Sequence, residues 1–143
     1  MLEAAVLREK KPKGLLFLCV ANSARSQIGE GIGRLLAPKD VIVQSAGSYP
    51  TSVRPEAVTV LGEIGVDAKS HTSKNVSEID PETVDTVITL CSEEECPLFL
   101  GNATRIHWGL PDPAGVEDPA QRLNSFRQTR DELMTRIKAL FNV

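Results

Sequence analysis

The chain alternates between short, unbroken apolar runs and longer stretches in which apolar residues recur every three or four positions. Leu15-Leu16-Phe17-Leu18-Cys19-Val20 contains no polar position, as a strand covered on both faces requires. Val41-Ile42-Val43 is a second strand, closed by Ser45-Ala46-Gly47, and Val84-Asp85-Thr86-Val87-Ile88-Thr89-Leu90 is a third. A short fourth strand is expected at 105–108. Positions 26–37 predict a helix ended by Pro38, and 55–64 a helix with Pro55 near its first position and Gly65 as its stop. A short helix is expected over 92–99 and a Pro- and Gly-rich loop over 109–118. The closing stretch 123–141 reads as an amphipathic helix, with Phe126, Leu133, Ile137 and Leu140 on one face. Strands alternating with helices predict an α/β fold: three layers, a four-stranded parallel sheet, right-handed crossovers and helices on both faces. Ligands of such sheets bind beyond the carboxyl ends of the strands, where the strand order reverses.

Composition narrows the function. A length of 143 residues fits one domain, expected over 14–143 behind a polar extension at 1–13. Hydrophobic residues at 41% and charged residues at 24% support an ordinary core. A net charge of -3 argues against nucleic-acid binding, which draws on basic surface. No apolar run approaches the roughly 20 residues that span a membrane, so no membrane partner is expected. Glu3, Arg8 and Glu9 interrupt the first residues, which do not read as a signal peptide. Three cysteines are too few for a disulfide scaffold. The expectation is a cytoplasmic protein whose thiols are reduced and used for chemistry.

The sharpest signal stands where the first strand meets the first helix. Cys19-Val20-Ala21-Asn22-Ser23-Ala24-Arg25-Ser26 is Cys, five residues, Arg and Ser. A loop at this edge can turn the amides of Val20, Ala21, Asn22, Ser23, Ala24, Arg25 and Ser26 inward and add the helix N-terminus, making a cradle for a tetrahedral oxyanion. Arg25 supplies a planar fork for two oxygens. Cys19 lies at the floor, where helix dipole and guanidinium favour the thiolate. Asn22 and Ser26 are suited to holding the loop and donating to the sulfur. Gly29, Gly31 and Gly33 in the following helix are read as close packing against the sheet.

These features resemble the low-molecular-weight protein tyrosine phosphatases, and more closely the thioredoxin-coupled arsenate reductases of that fold. The resemblance is carried by Cys19 to Gln27, Ser45-Ala46-Gly47, Glu63-Ile64-Gly65-Val66-Asp67, His71-Thr72-Ser73, Val87 to Cys91, Cys96-Pro97, His107 to Gly115, and Arg127 with Arg130-Asp131-Glu132. It implies a sheet of strand order 2-1-3-4. It implies that Cys19 attacks arsenate, that Cys91 attacks the Cys19 adduct and releases arsenite, and that Cys96 then attacks Cys91. Thioredoxin would reduce the resulting Cys91–Cys96 disulfide, with phosphate or sulfate as competing anions. In that strand order Cys19 and Cys91 end neighbouring strands about 4.8 Å apart, within reach of a disulfide after modest loop movement. A Cys91–Cys96 bond does not fit a regular helix and should need that segment to unwind. The four residues between these cysteines are fewer than relatives usually have, and Ala24 stands where relatives often carry another cysteine.

Asp112, before Pro113, is the implied general acid, and the small Ala114-Gly115-Val116 that follow suit an inorganic oxyanion better than an aryl ester. His71 and His107 lack metal-ligand spacing, so neither a metal nor another cofactor is expected. Some relatives resemble this chain at Asn22, Glu30, Ser45 and Thr72, which in them help to hold potassium, but carry Asp where this chain has Lys74. Lys74 could instead pair with Glu30. Two alternatives remain. One is a phosphatase acting on phosphotyrosine or small phosphate esters through a Cys19 phosphoenzyme. The other is an anion-binding regulator without turnover.

Overall fold

The structure, a computed structural model, describes residues 12–92 and 101–143. Four strands, β1 (Gly14–Cys19), β2 (Ile42–Gly47), β3 (Thr86–Thr89) and β4 (Thr104–His107), form one sheet in the order β2-β1-β3-β4. All three pairings are parallel. Among the described residues the α-helices are α1 (Arg25–Leu36), α2 (Pro55–Gly62) and α3 (Pro119–Phe141). The expected helix at 92–99 lies outside the described residues except for its first position.

β1 is buried at every position because it is central in the sheet and both of its faces are covered. Successive side chains alternate between those faces. Leu15 and Phe17 pack with Ile28 and Ile32 of α1, Val60 and Leu61 of α2, and Phe126, Leu133 and Ile137 of α3. Leu16 and Leu18 enter a second cluster with Ala46, Ile79, Val84 and Val87. Among the described residues that second face carries 3-10 turns at Val76–Glu78 and Pro81–Thr83, which hydrophobic periodicity did not predict. Their signals were in the caps. Asn75 accepts from the Ser77 amide while Glu78 accepts from the Asn75 amide, and Asp80 precedes Pro81 and accepts from the Glu82 amide.

The glycines of α1 set how closely the layers approach. A Cβ at Gly29 would stand 2.8 Å from the Phe17 ring, and one at Gly33 2.8 Å from Val43. Gly31 differs from the expectation of sheet packing: it faces Leu61 of α2, also at 2.8 Å. α3 begins at Pro119, earlier than its apolar periodicity indicated. Asp118 caps it by accepting from the Gln121 amide, and a proline at the first position needs no hydrogen-bonded N–H. The far end of α2 is tied to α3 through Glu63, which accepts from Arg127 at 2.7 Å and Arg130 at 2.6 Å.

Candidate active site

The site grows from the junction of β1 and α1. Cys19 is the last residue of β1, and α1 starts at Arg25 with no side chain capping its first amides. Uncapped amides at a helix start are donors in search of an acceptor, and an oxyanion is one. Between them the loop encloses a cavity of about 230 Å³ lined by Cys19, Val20, Ala21, Ser23, Ala24, Arg25 and Asp112. The side chains of Asn22 and Ser26 stand behind the cavity, both fully buried, where they hold the loop as expected.

Asn22 takes a left-handed backbone conformation, φ 48°, a region that asparagine tolerates better than most residues. Its side chain then works from behind the loop. Nδ2 donates to Ser26 Oγ at 2.7 Å and to Ser45 Oγ at 3.0 Å, and Oδ1 accepts from the Lys74 amide at 2.9 Å. Ser45 Oγ in turn donates a hydrogen bond to Glu30 Oε1 at 2.7 Å. Ser26 Oγ accepts from Asn22 and lies 2.9 Å from Cys19 Sγ, where its own proton is available to a thiolate. Gln27 donates to the Asn22 and Thr72 carbonyls, both at 3.0 Å, and its oxygen accepts from His71 Nδ1 at 3.1 Å. Burial pushes the His71 imidazole below its ordinary pKa, against the opposing pull of Glu30. Glu30 is buried and stands near three basic groups: Arg34 at 3.2 Å, His71 at 3.6 Å and Lys74 at 3.7 Å. Gly47 closes the floor from β2. A Cβ there would sit 2.3 Å from the Val20 carbonyl oxygen, so this approach admits glycine.

Arg25 is nearly enclosed, with its side chain 5% exposed. Nη1 donates to the Leu110 carbonyl at 3.0 Å, and Nη2 stands 3.9 Å from Asp112 Oδ2. Asp112 caps a 3-10 turn, Pro113–Gly115, by accepting from the Ala114 amide at 3.0 Å. Its loop starts one strand away, where the Leu110 amide donates to the Leu90 carbonyl. Cys91 follows Leu90 and is buried. The Leu90 amide donates to the Leu18 carbonyl, so Cys91 lies just past the β3 end that borders Cys19. Cys91 is disulfide-bonded, whereas Cys19 is free. Cys96, the remaining cysteine, lies outside the described residues. His107 bonds Thr89 Oγ1 through Nδ1 at 2.7 Å, and Trp108 is buried with Arg136 over its ring. Among the described residues no group of three His, Cys, Asp or Glu side chains converges to hold a metal, and no helix is long and apolar enough to cross a membrane.

Sequence reading missed Gln27 and the Leu110 carbonyl as parts of this assembly. Gln27 carried a faint signal, a polar residue on the inward side of a helix. A backbone carbonyl carries none.

The comparisons with known proteins agree with this geometry. Arsenate reductase 1 of Staphylococcus haemolyticus is 38% identical over 128 residues, covering 88% of this chain and 92% of that one. The crystal structure of an arsenate reductase from Archaeoglobus fulgidus superposes with a TM-score of 0.77 at 26% identity, covering 90% of this chain and 99% of the other. A thioredoxin-dependent arsenate reductase from Corynebacterium glutamicum superposes with a TM-score of 0.69 at 28% identity, covering 99% of this chain and 68% of that one. The description of low molecular weight phosphotyrosine protein phosphatases matches residues 14–143, well over half of the chain, and the chain belongs to that family.

Proposed function

We propose that this protein reduces arsenate to arsenite with Cys19 as nucleophile and that thioredoxin restores it. One observation carries the reading: a free Cys19 shares a cavity with Arg25 and Asp112 while Cys91, at the end of the neighbouring strand, is disulfide-bonded. The named activity of the relatives and the thioredoxin dependence named for the Corynebacterium glutamicum protein support it. Arg25 and the start of α1 hold the oxygens of the bound anion. The Cys19 thiolate forms an S–As bond, and one arsenate oxygen leaves as water with a proton from Asp112. The Cys91 thiolate then attacks the Cys19 sulfur. An S–S bond forms, the S–As electron pair passes to arsenic, and As(V) leaves as As(III) arsenite. Cys96 attacks the Cys91 sulfur and frees Cys19, so the two electrons come from the Cys91 and Cys96 thiols. The dithiol of thioredoxin reduces the Cys91–Cys96 disulfide. Phosphate and sulfate compete for the same cradle. The working domain is 14–143, with 1–13 as an extension, and the cytoplasm is the compartment whose reductants suit this cycle.

The test is arsenate turnover with thioredoxin, thioredoxin reductase and NADPH, run beside hydrolysis of p-nitrophenyl phosphate. Cys19→Ser should abolish both activities, because a serine hydroxyl offers no comparable anion at neutral pH. Cys91→Ser should lose arsenate turnover and keep weak phosphatase activity, since the cradle and Asp112 survive. Undiminished arsenate reduction by Cys91→Ser would overturn the relay.

A further inference from the structure

Glu56 and Arg122 take no part in the chemistry above, yet they join the two loops that carry it. Arg122 lies in the first turn of α3, four residues after the capping Asp118. Its guanidinium turns back on the chain. Nη1 donates to the Val116 and Glu117 carbonyls, each at 3.1 Å, while Nε donates to Glu56 Oε2 at 2.7 Å. Val116 ends the 3-10 turn whose cap is Asp112. On the other side, Glu56 sits in the first turn of α2 and also accepts from Arg54 Nη2 at 3.2 Å. The Arg54 amide donates to the carbonyl of Ser23, inside the cradle loop, at 2.9 Å. A chain of contacts thus runs from Ser23 through Arg54, Glu56 and Arg122 to the end of the Asp112 loop. The pair is largely withdrawn from solvent, with side chains 23% and 16% exposed, so these charge-assisted bonds are geometrically demanding. The beginning of the loop is held separately, by the Leu110 amide on Leu90 and by Arg25 on the Leu110 carbonyl. Cutting the clamp therefore loosens one end of the loop. Asp112 is 49% exposed and stands 3.9 Å from Arg25, too far for a hydrogen bond to fix it from that side.

We infer that Glu56 and Arg122 form a positioning pair that holds Asp112 over the Cys19 cradle; the inference rests on Asp112 serving as the general acid. The pair touches neither the anion nor the sulfur. It sets where the acid's proton is offered.

Aryl phosphates read this out without any later step of the arsenate cycle. The Cys19 thiolate forms an S–P bond, the aryl P–O bond breaks with its electron pair on the phenolic oxygen, and Asp112 supplies that oxygen's proton. Phenol, a poor leaving group, needs the proton; p-nitrophenol hardly does. The measurement is the burst of phenol or nitrophenol per molecule of reduced protein. Asp112→Asn should slow the phenyl phosphate burst on the order of 100-fold more than the p-nitrophenyl phosphate burst. Arg122→Gln and Glu56→Gln should show the same selectivity at roughly 10-fold, with Arg122→Lys in between because it keeps a charge beside Glu56. Combining Arg122→Gln with Asp112→Asn should add no further selective loss. Equal losses on both esters, or an added selective loss over Asp112→Asn, would overturn the pair as a positioning device. If Asp112→Asn itself leaves the ratio of the two bursts unchanged, the acid assignment fails and the inference falls with it. Should Arg122→Gln not fold, Glu56→Gln and Arg122→Lys carry the same comparison.

Discussion

Lys74 shows how one side chain can change what a site requires. Its ammonium stands 3.7 Å from Glu30 Oε1 and donates to the Thr72 carbonyl at 3.1 Å, on the far side of the bonds that brace the cradle. The resemblance implies a potassium site with a carboxylate at this position; this chain instead brings its own cation to Glu30. A metal cation would meet repulsion from the ammonium within a few ångströms. The expected outcome is that kcat/KM for arsenate is equal in potassium chloride and sodium chloride at matched ionic strength, with sulfate left out as a proposed competitor for the cradle. A several-fold stimulation by potassium would show that Lys74 does not fill that role. Gly47 works at the same scale through what it lacks, since any Cβ would collide with the Val20 carbonyl and push the loop open.

Among the elements, α2 links the cradle to the closing helix. Its first turn holds Glu56, and just past its last turn lies Glu63, bonded by Arg127 and Arg130 of α3. The Arg127 hydrogen bond is the main cause that holds the Glu63 carboxyl at about 2 against an ordinary 4.5, with partial burial opposing and Arg130 adding to the effect. The sign follows from proton binding. The folded state binds fewer protons at Glu63 than the unfolded chain, so its contribution is complete above pH 4.5 and is lost as pH falls towards about 2. Urea midpoints measured across that window should fall less steeply with acid for Glu63→Gln than for the parent. Because the carboxylate is solvent-screened, the difference should also shrink in high salt. Identical acid slopes in the two proteins would remove Glu63 from the acid response.

On the scale of the whole molecule, the cradle exists only when folded: β1, α1, the floor at Gly47 and the loop at Leu110 converge from separate parts of the chain. An anion that binds this assembly and not the unfolded chain must stabilise it by mass action, by about 2.7 kcal/mol at a hundred times its dissociation constant. Sulfate or phosphate should therefore raise the Tm by several degrees, and Arg25→Lys, which lacks the bidentate fork, should reduce that rise. An anion-independent Tm in the parent protein would argue against the cradle as an oxyanion site.

What the sequence determined by itself is local. The unbroken run before Cys19, the Cys-to-Arg spacing and the Arg-Ser helix start fix a strand, a turn and a helix within about a dozen residues, because backbone propensity and burial act over that range. The parallel α/β character followed from the alternation of such units. Short capped turns escaped periodicity, since three residues carry no period, and the start of α3 was hidden because its first turn is polar. The tertiary structure alone decided which distant groups meet. Arg122 finds Glu56 across 66 positions, Arg25 finds the Leu110 carbonyl across 85, and Gln27 finds His71 across 44. Such pairings depend on strand order and on how closely the glycine-lined α1 lets its neighbours approach. A charged side chain in a sequence looks the same whether it ends in solvent or in a clamp. The physical reason is that long-range partners are chosen by packing geometry, which no single stretch of chain contains.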